Sequence, residues 1–202
     1  MKNILLASFL MIVFAPTPVL ALADANLQNR LNKINGFHAS FIQKLITAEG
    51  IVLHRDEGDI WVKRPNLFNW HVIVPDESIL ISDGKALWFY TPLLEQVTVT
   101  WLDQAISSMP FILITNNNAK ELSKYHVKQS GDFFYLTPKS QNDALKKLMI
   151  NISPRGMIGS FSWVNQDGLI SFYRLKNNCS AFNVSKFVFL LPEGVTVDDQ
   201  RQ

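Results

Sequence analysis

A mainly β fold, one large antiparallel sheet curled or closed into a barrel, is predicted by three features of the sequence. Apolar and polar residues alternate with a period of two along most of the chain. Turn signals recur between the alternating runs: Asp83-Gly84, Ser130-Gly131-Asp132, Pro154-Arg155-Gly156 and Gln166-Asp167-Gly168. The roughly one dozen strands that result are too many to stay flat and open. One apolar helical insert departs from the pattern and predicts a lid of short α-helices over an apolar cavity.

The first element is a leader. Lys2 is followed by the uncharged run Ile4 to Phe14, then Pro16, Pro18 and the triplet Ala21-Leu22-Ala23. A basic start, an apolar run too short to span a bilayer and an A-x-A end describe a secretory signal peptide, residues 1–23, cleaved before Asp24. One domain of 179 residues remains, 24–202 (202 − 23 = 179), enough for a sizeable core. Lys2 is the only charge in the leader, so its loss lowers the formal net charge from +2 to +1. A near-neutral chain lacks the basic footprint of a nucleic-acid binder. The single cysteine, Cys179, permits no internal disulfide. The first mature residue is Asp24 and not a lipid-bearing cysteine, so an exported, unlipidated and soluble protein is expected.

Asp24 to Asn35 reads as a helix, with Leu27, Leu31 and Ile34 on one stripe and Gly36 as its stop. From Phe37 the period becomes two. Strands are predicted at about 50–63, 67–74, 78–82, 86–91 and 95–101, with the last at Lys186 to Leu191. Pro65-Asn66 separates two of them. The insert "SSMPFILITNNNAKELSKY", 107–125, interrupts the strands. Ser107 or Ser108 is placed to cap a short helix with Pro110 in its first turn, and Ala119 to Tyr125 forms a second. The run Phe111, Ile112, Leu113, Ile114 is apolar on every side and needs burial on every side. A sheet covers one side; the N-terminal helix or a ligand must cover the rest.

The stretch "WVKRPNLFNW", 61–70, sets a cation beside much aromatic surface. Strand parity places Ile60, Val62 and Arg64 on one face, and Phe68, Trp70, Val72 and Val74 on one face. Val97, Val99 and Trp101 share a face. A two-residue turn at Asp83-Gly84 groups Ile79, Ile81, Ala86 and Trp88. All these sets are expected to line the concave side. Roofed by Pro110, Phe111, Ile112, Leu113 and Ile114, they would enclose a cavity for an apolar ligand. Arg64 would then point to the apolar side and need partners. No acid lies on the neighbouring apolar positions, so carbonyls at the ends of the lid helices are the expected acceptors. The alternative is a turn arginine that snorkels into water.

Catalytic chemistry is not predicted. His38, His54, His71 and His126 lack metal-ligand spacing. There is no nucleophile elbow and no phosphate-binding glycine loop. Asp56, Glu57 and Asp59 beside Gly58 read as a solvated hairpin. Neither enzyme, metal nor cofactor is expected.

The blocks "FHASFIQK" (37–44), "GDIWVKRPNLFNW" (58–70), "PDESILISDGKALWFYTP" (75–92), "MPFILI" (109–114), "LTPK" (136–139) and "LPEGVTVDDQR" (191–201) span the mature chain in order. Together they resemble the LolA family of outer-membrane lipoprotein carrier proteins. The resemblance implies an incomplete antiparallel β-barrel closed by short helices. It implies a periplasmic chaperone that takes triacylated lipoproteins from an inner-membrane ABC transporter of the LolCDE type and delivers them to an outer-membrane receptor lipoprotein of the LolB type. In that family the arginine of K-R-P, here Arg64, bonds to the lid, and the phenylalanine of the same motif, here Phe68, takes part in cargo handling. The segment "NNCSAFNVSKF" (177–187) is unlike the family pattern. A monomer is expected. A periplasmic sensor of mislocalised lipoproteins with the same fold is the alternative reading. An integral outer-membrane barrel, a lipid hydrolase and the receptor lipoprotein fit less well. On this reading a carboxylate at Phe111 or Leu113 should harm cargo binding more than folding.

Overall fold

The computed structural model describes residues 19–105, 109–116, 118–140, 145–179 and 183–201. Most of the expected leader, and the expected caps Ser107 and Ser108, lie outside them. A helix, α1 (Val19–Asn32), leads into β1 (Gly36–Ile46), β2 (Val52–Lys63), β3 (Leu67–Val74), β4 (Ser78–Asp83), β5 (Ala86–Thr91) and β6 (Gln96–Trp101). The insert holds α2 (Leu102–Ala105), α3 (Ile112–Asn116) and α4 (Ala119–Leu122). Then follow β7 (Tyr125–Ser130), β8 (Phe133–Pro138), β9 (Leu145–Ile152), β10 (Ile158–Asn165), β11 (Ile170–Cys179) and β12 (Thr196–Asp199). The second insert helix is thus shorter than expected: Tyr125 already belongs to the next strand.

The twelve strands form one sheet in the order β12-β6-β5-β4-β3-β2-β1-β11-β10-β9-β8-β7. Two meanders are joined by the antiparallel pairing of β1 with β11. β7 and β12 remain edges, so the barrel is unclosed, and the fold is mainly β as the sequence predicts. Most of the inner face is apolar. Phe37, Ala39 and Phe41 of β1, Ile60 and Val62 of β2, Phe134 and Leu136 of β8, Leu148 and Ile150 of β9 and Phe161 of β10 are all buried there. Alternation makes this possible, because each strand sends every second side chain inward.

The helix α1 packs into the apolar core beside the edge strand β7. Leu27 and Leu31, four apart and so on one stripe, are fully buried. Arg30 anchors the helix from the side: Nη1 donates to Asp132 Oδ1 and to the Ile152 carbonyl, both at 2.6 Å. The guanidinium also lies 5.1 Å from the centre of the Phe134 ring.

The strand expected at Lys186 to Leu191 does not form. Residues Val184–Phe187 make a single 3-10 turn, capped by Asn183, whose side chain accepts from the Ser185 amide at 3.0 Å. The apolar alternation there serves packing and not a ladder. Phe187 is buried, Phe189 stacks on Trp88 at 5.3 Å, and Asn69 Nδ2 donates to the Lys186 carbonyl at 2.7 Å. The last strand is instead β12, and it joins β6 in parallel, the single parallel pair in the sheet as described. The C-terminal segment thereby crosses the outer face. Phe187→Ala is expected to cost about 3 kcal/mol, in the range for deleting a buried aromatic. A urea-unfolding midpoint equal to the wild type would show that this layer is not fixed.

Gly58 sits where the β2–β3 register shifts. A Cβ there would lie 2.0 Å from the His71 carbonyl oxygen and 3.0 Å from the Phe41 ring. Both neighbours are held, one by backbone and one by the core. Gly58→Ala should therefore destabilise by about 1–3 kcal/mol, as overpacking does. Chemical denaturation of the variant tests this.

Candidate functional site

The site begins with strand register. In an antiparallel pair, residues opposite one another share a face. Val62 pairs with Phe68 and Ile60 with Trp70, so these four face inward together. The loop 73–77 then sets Val72 opposite Ser78 and Trp70 opposite Leu80. Inward-facing residues of β4 are therefore even-numbered, and through the next pairing Phe89 joins them opposite Leu80.

This register corrects part of the expected wall. Phe68, Trp70 and Val72 do face inward. Ile79 and Ile81 pair with His71 and Asn69 and so face outward. Ile81 pairs with Trp88, Trp88 with Val99, Tyr90 with Val97, and Ala86 with Trp101. Ile79, Ile81, Trp88, Val97, Val99 and Trp101 thus form an outer apolar layer and not the cavity. The turn did keep Ile79, Ile81, Ala86 and Trp88 together, although the loop is longer than two residues: Ser82 pairs with Leu87. Asp83 Oδ1 closes it, accepting from the amides of Lys85 at 2.9 Å and Ala86 at 2.8 Å. The C-terminal segment covers the layer. Phe189 lies on Trp88, and the Arg201 guanidinium sits 5.2 Å from the Trp88 ring and 5.6 Å from that of Trp101.

On the inner face a cavity of about 240 Å³ is lined by Trp70, Val72, Ser78, Leu80, Phe89, Met109, Pro110, Phe111, Trp163 and Tyr173. The aromatic rings interlock. Phe111 meets Trp70 edge-on at 5.0 Å and Phe68 at 5.9 Å, and Tyr173 stacks on Phe161 at 4.7 Å. Sequence parity alone missed Leu80 and Phe89, because Ile79-Leu80-Ile81 is apolar on both faces. Trp163 and Tyr173 were missed because they join the cavity through the β1–β11 pairing, which no local pattern encodes.

The insert fills the barrel. Phe111, Ile112, Leu113 and Ile114 are all buried, at 2%, 2%, 8% and 0% exposure. Pro110 lines the cavity beside them. The all-round burial that this run demands is met by the sheet on one side and by the barrel core on the others. The space left is below the roughly 300 Å³ at which drug-sized pockets begin. A ligand with long chains needs α3 to move.

Arg64 lies just past the end of β2, in the turn containing Pro65 and Asn66. Its Nε and Nη2 donate to the Ile114 carbonyl at 3.1 and 2.5 Å, and its Nη1 donates to the Leu31 carbonyl at 2.5 Å. These acceptors belong to α3 and to the last turn of α1. Carbonyls in the last turn of a helix lack the usual intrahelical donor, and the dipole favours a cation there; Leu31 also accepts from the Ile34 amide at 3.0 Å. One guanidinium thus joins the sheet to both helices. Burial pulls its pKa down to about 10, which leaves it charged at neutral pH. Among the described residues its acceptors are carbonyls and not carboxylates.

Comparison with known proteins gives these features a family. Residues 32–190 match the family described as outer membrane lipoprotein carrier protein LolA. The outer-membrane lipoprotein carrier protein of Yersinia enterocolitica is 53% identical, and those of Serratia proteamaculans and Edwardsiella ictaluri are 52% identical, each over the whole of both chains. Among solved structures, MucB has a similar fold, with a TM-score of 0.55 at 15% identity over 88% of this chain and 66% of that one. Likeness at that identity speaks to fold alone. By the extent of the sequence match, the chain belongs to the LolA family.

Proposed function

We propose that the chain is a lipoprotein carrier, a periplasmic chaperone that holds the acyl chains of triacylated lipoproteins inside the barrel. The observation that carries this reading is the apolar α3 run, buried in the barrel where a ligand would sit and held there by Arg64. Acyl chains need little beyond apolar surface, since their burial is non-directional. Each buried methylene contributes about 0.8 kcal/mol. Unopposed, several long chains would bind too tightly to leave. Displacing α3 from its own buried site opposes that binding, so cargo competes with the lid for one apolar surface. Net affinity is then low enough for hand-over to a tighter receptor. No nucleotide and no covalent chemistry enter.

The partners on this reading are an inner-membrane ABC transporter of the LolCDE type as donor and a receptor lipoprotein of the LolB type as acceptor. The leader 1–23 would direct export, with cleavage before Asp24. Among the described residues no helix is long and apolar enough to cross a membrane. The test is release from spheroplasts. Added mature protein should liberate newly made lipoproteins in a complex with itself, with their acyl groups identified by mass spectrometry. Cargo that stays with the inner membrane in the presence of folded protein and an active transporter would contradict the reading.

A further inference from the structure

The inner wall is not apolar throughout. Along β1 the inward side chains run Phe37, Ala39, Phe41 and then Gln43. Gln43 pairs with Asp56 on one side and with Tyr173 on the other. Polarity therefore switches within a single row across three strands. Asp56 is only 8% exposed, so the solvated hairpin expected for it from sequence does not hold at this position. His54, two residues along the same strand face, reaches it with Nε2 at 2.6 Å from Oδ1, and the His54 side chain is half exposed. The row adjoins the cavity twice. Tyr173 lines the cavity directly, and Gly58, next inward from Asp56 on β2, lies opposite the cavity residue Val72. Burial first, then the nearby charge of Asp56, keep the Tyr173 phenol protonated, while a hydrogen bond with Gln43 works the other way.

A buried carboxylate beside an apolar cavity is costly unless its lone pairs are used. A carboxylate offers about four acceptor directions, and His54 takes one. Acyl chains themselves have nothing to give it. The head that joins them does: an acylated amino terminus carries amide N–H groups. We propose that Asp56, supported by His54, Gln43 and Tyr173, forms a polar subsite beside the acyl cavity that accepts hydrogen bonds from the amide N–H groups of the cargo's acylated terminus. This rests on the carrier reading. It adds that the head is fixed at this wall while the chains run inward under the lid.

The test uses two probes with the mature protein: a synthetic triacylated lipopeptide, and the methyl ester of the same fatty acid, which has chain but no donor. Affinities are read by displacement of an environment-sensitive apolar dye. Two variants are compared, Asp56→Asn, which keeps the shape, and Asp56→Leu, which removes the polar group. The His54 side chain is half exposed and can turn to water once its partner is gone, so Asp56→Leu is expected to stay folded, and its melting temperature is read beside its affinities. Both variants should bind the lipopeptide about tenfold more weakly, the effect of one hydrogen bond to a charged acceptor. The methyl ester should bind each as it binds the wild type. Unchanged lipopeptide affinity, or an equal loss for both probes, overturns the subsite and leaves the carrier reading standing. A wild type that binds neither probe overturns the carrier reading, and this inference with it.

Discussion

Replacing Arg64 by leucine should leave loading of lipoprotein intact and slow its hand-over by about tenfold or more. The closed state has three guanidinium contacts to lose, two to Ile114 and one to Leu31. Hydrogen bonds to charged groups contribute roughly 1.5–3 kcal/mol each, and a tenfold step is about 1.4 kcal/mol. Leucine removes the donors and, in the closed state only, takes the charged partner from both carbonyls, although Leu31 keeps the Ile34 amide at 3.0 Å. It also adds apolar wall that a bound chain can touch. Both changes favour the open, loaded form, so the loss appears in release. Arg64→Lys should fall between, because one ammonium cannot reproduce a planar fork that reaches two helices. The measurement is a time course: load each variant, add purified receptor and follow transfer. A leucine variant that transfers at the wild-type rate would leave Arg64 a structural link with no part in release.

The second large effect is at the lid. Phe111→Asp should lower the melting temperature by roughly 10 °C and abolish lipoprotein release. Truncating a buried phenylalanine costs about 3–5 kcal/mol, before any charge is buried. For a chain of this size about 1 kcal/mol corresponds to roughly 2–4 °C. The sequence reading expected binding to suffer more than folding. The structure changes that balance, because Phe111 is packed against Phe68 and Trp70 within the core itself. Leu113→Asp should behave similarly, since Leu113 is 8% exposed in the same cluster. Thermal unfolding and spheroplast release measured on the same preparations decide it. A variant with a normal melting temperature would show that α3 leaves the barrel at little cost.

What the sequence disclosed and what it hid have physical reasons. The strands between Phe37 and Trp101 were legible because alternation and turn residues are local signals. Arg64 was legible because a cation at an inward-facing position is conspicuous; its acceptor Ile114 lies in the lid as expected, whereas Leu31 lies in α1 and not in a lid helix. The face of Ile79, Ile81 and Trp88 was not. Side-chain parity passes through the loop 73–77, whose register is set in three dimensions, and a one-residue difference moves a whole strand's side chains to the other face. Because both faces of β4 and β5 are apolar, hydrophobicity could not break the tie. The cause of that double apolarity lies about a hundred residues away, in Phe187 and Phe189, which cover the outer layer. Their alternation looked like a strand because packing across a sheet and pairing at its edge demand similar side chains. Asp56 was misread for a related reason: its neighbours Glu57 and Asp59 face outward, and three acids near a glycine look alike in sequence.

The division into two apolar faces gives the most direct test of the central claim, that acyl chains lie inside the barrel under α3. A triacylated lipopeptide with a photoreactive group on one acyl chain would be loaded, irradiated and its adducts mapped by mass spectrometry. Adducts are predicted on Phe68, Trp70, Leu80, Phe89, Trp163 and Tyr173. Adducts confined to Ile79, Trp88, Val97 or Trp101, on the outer face, would contradict the claim.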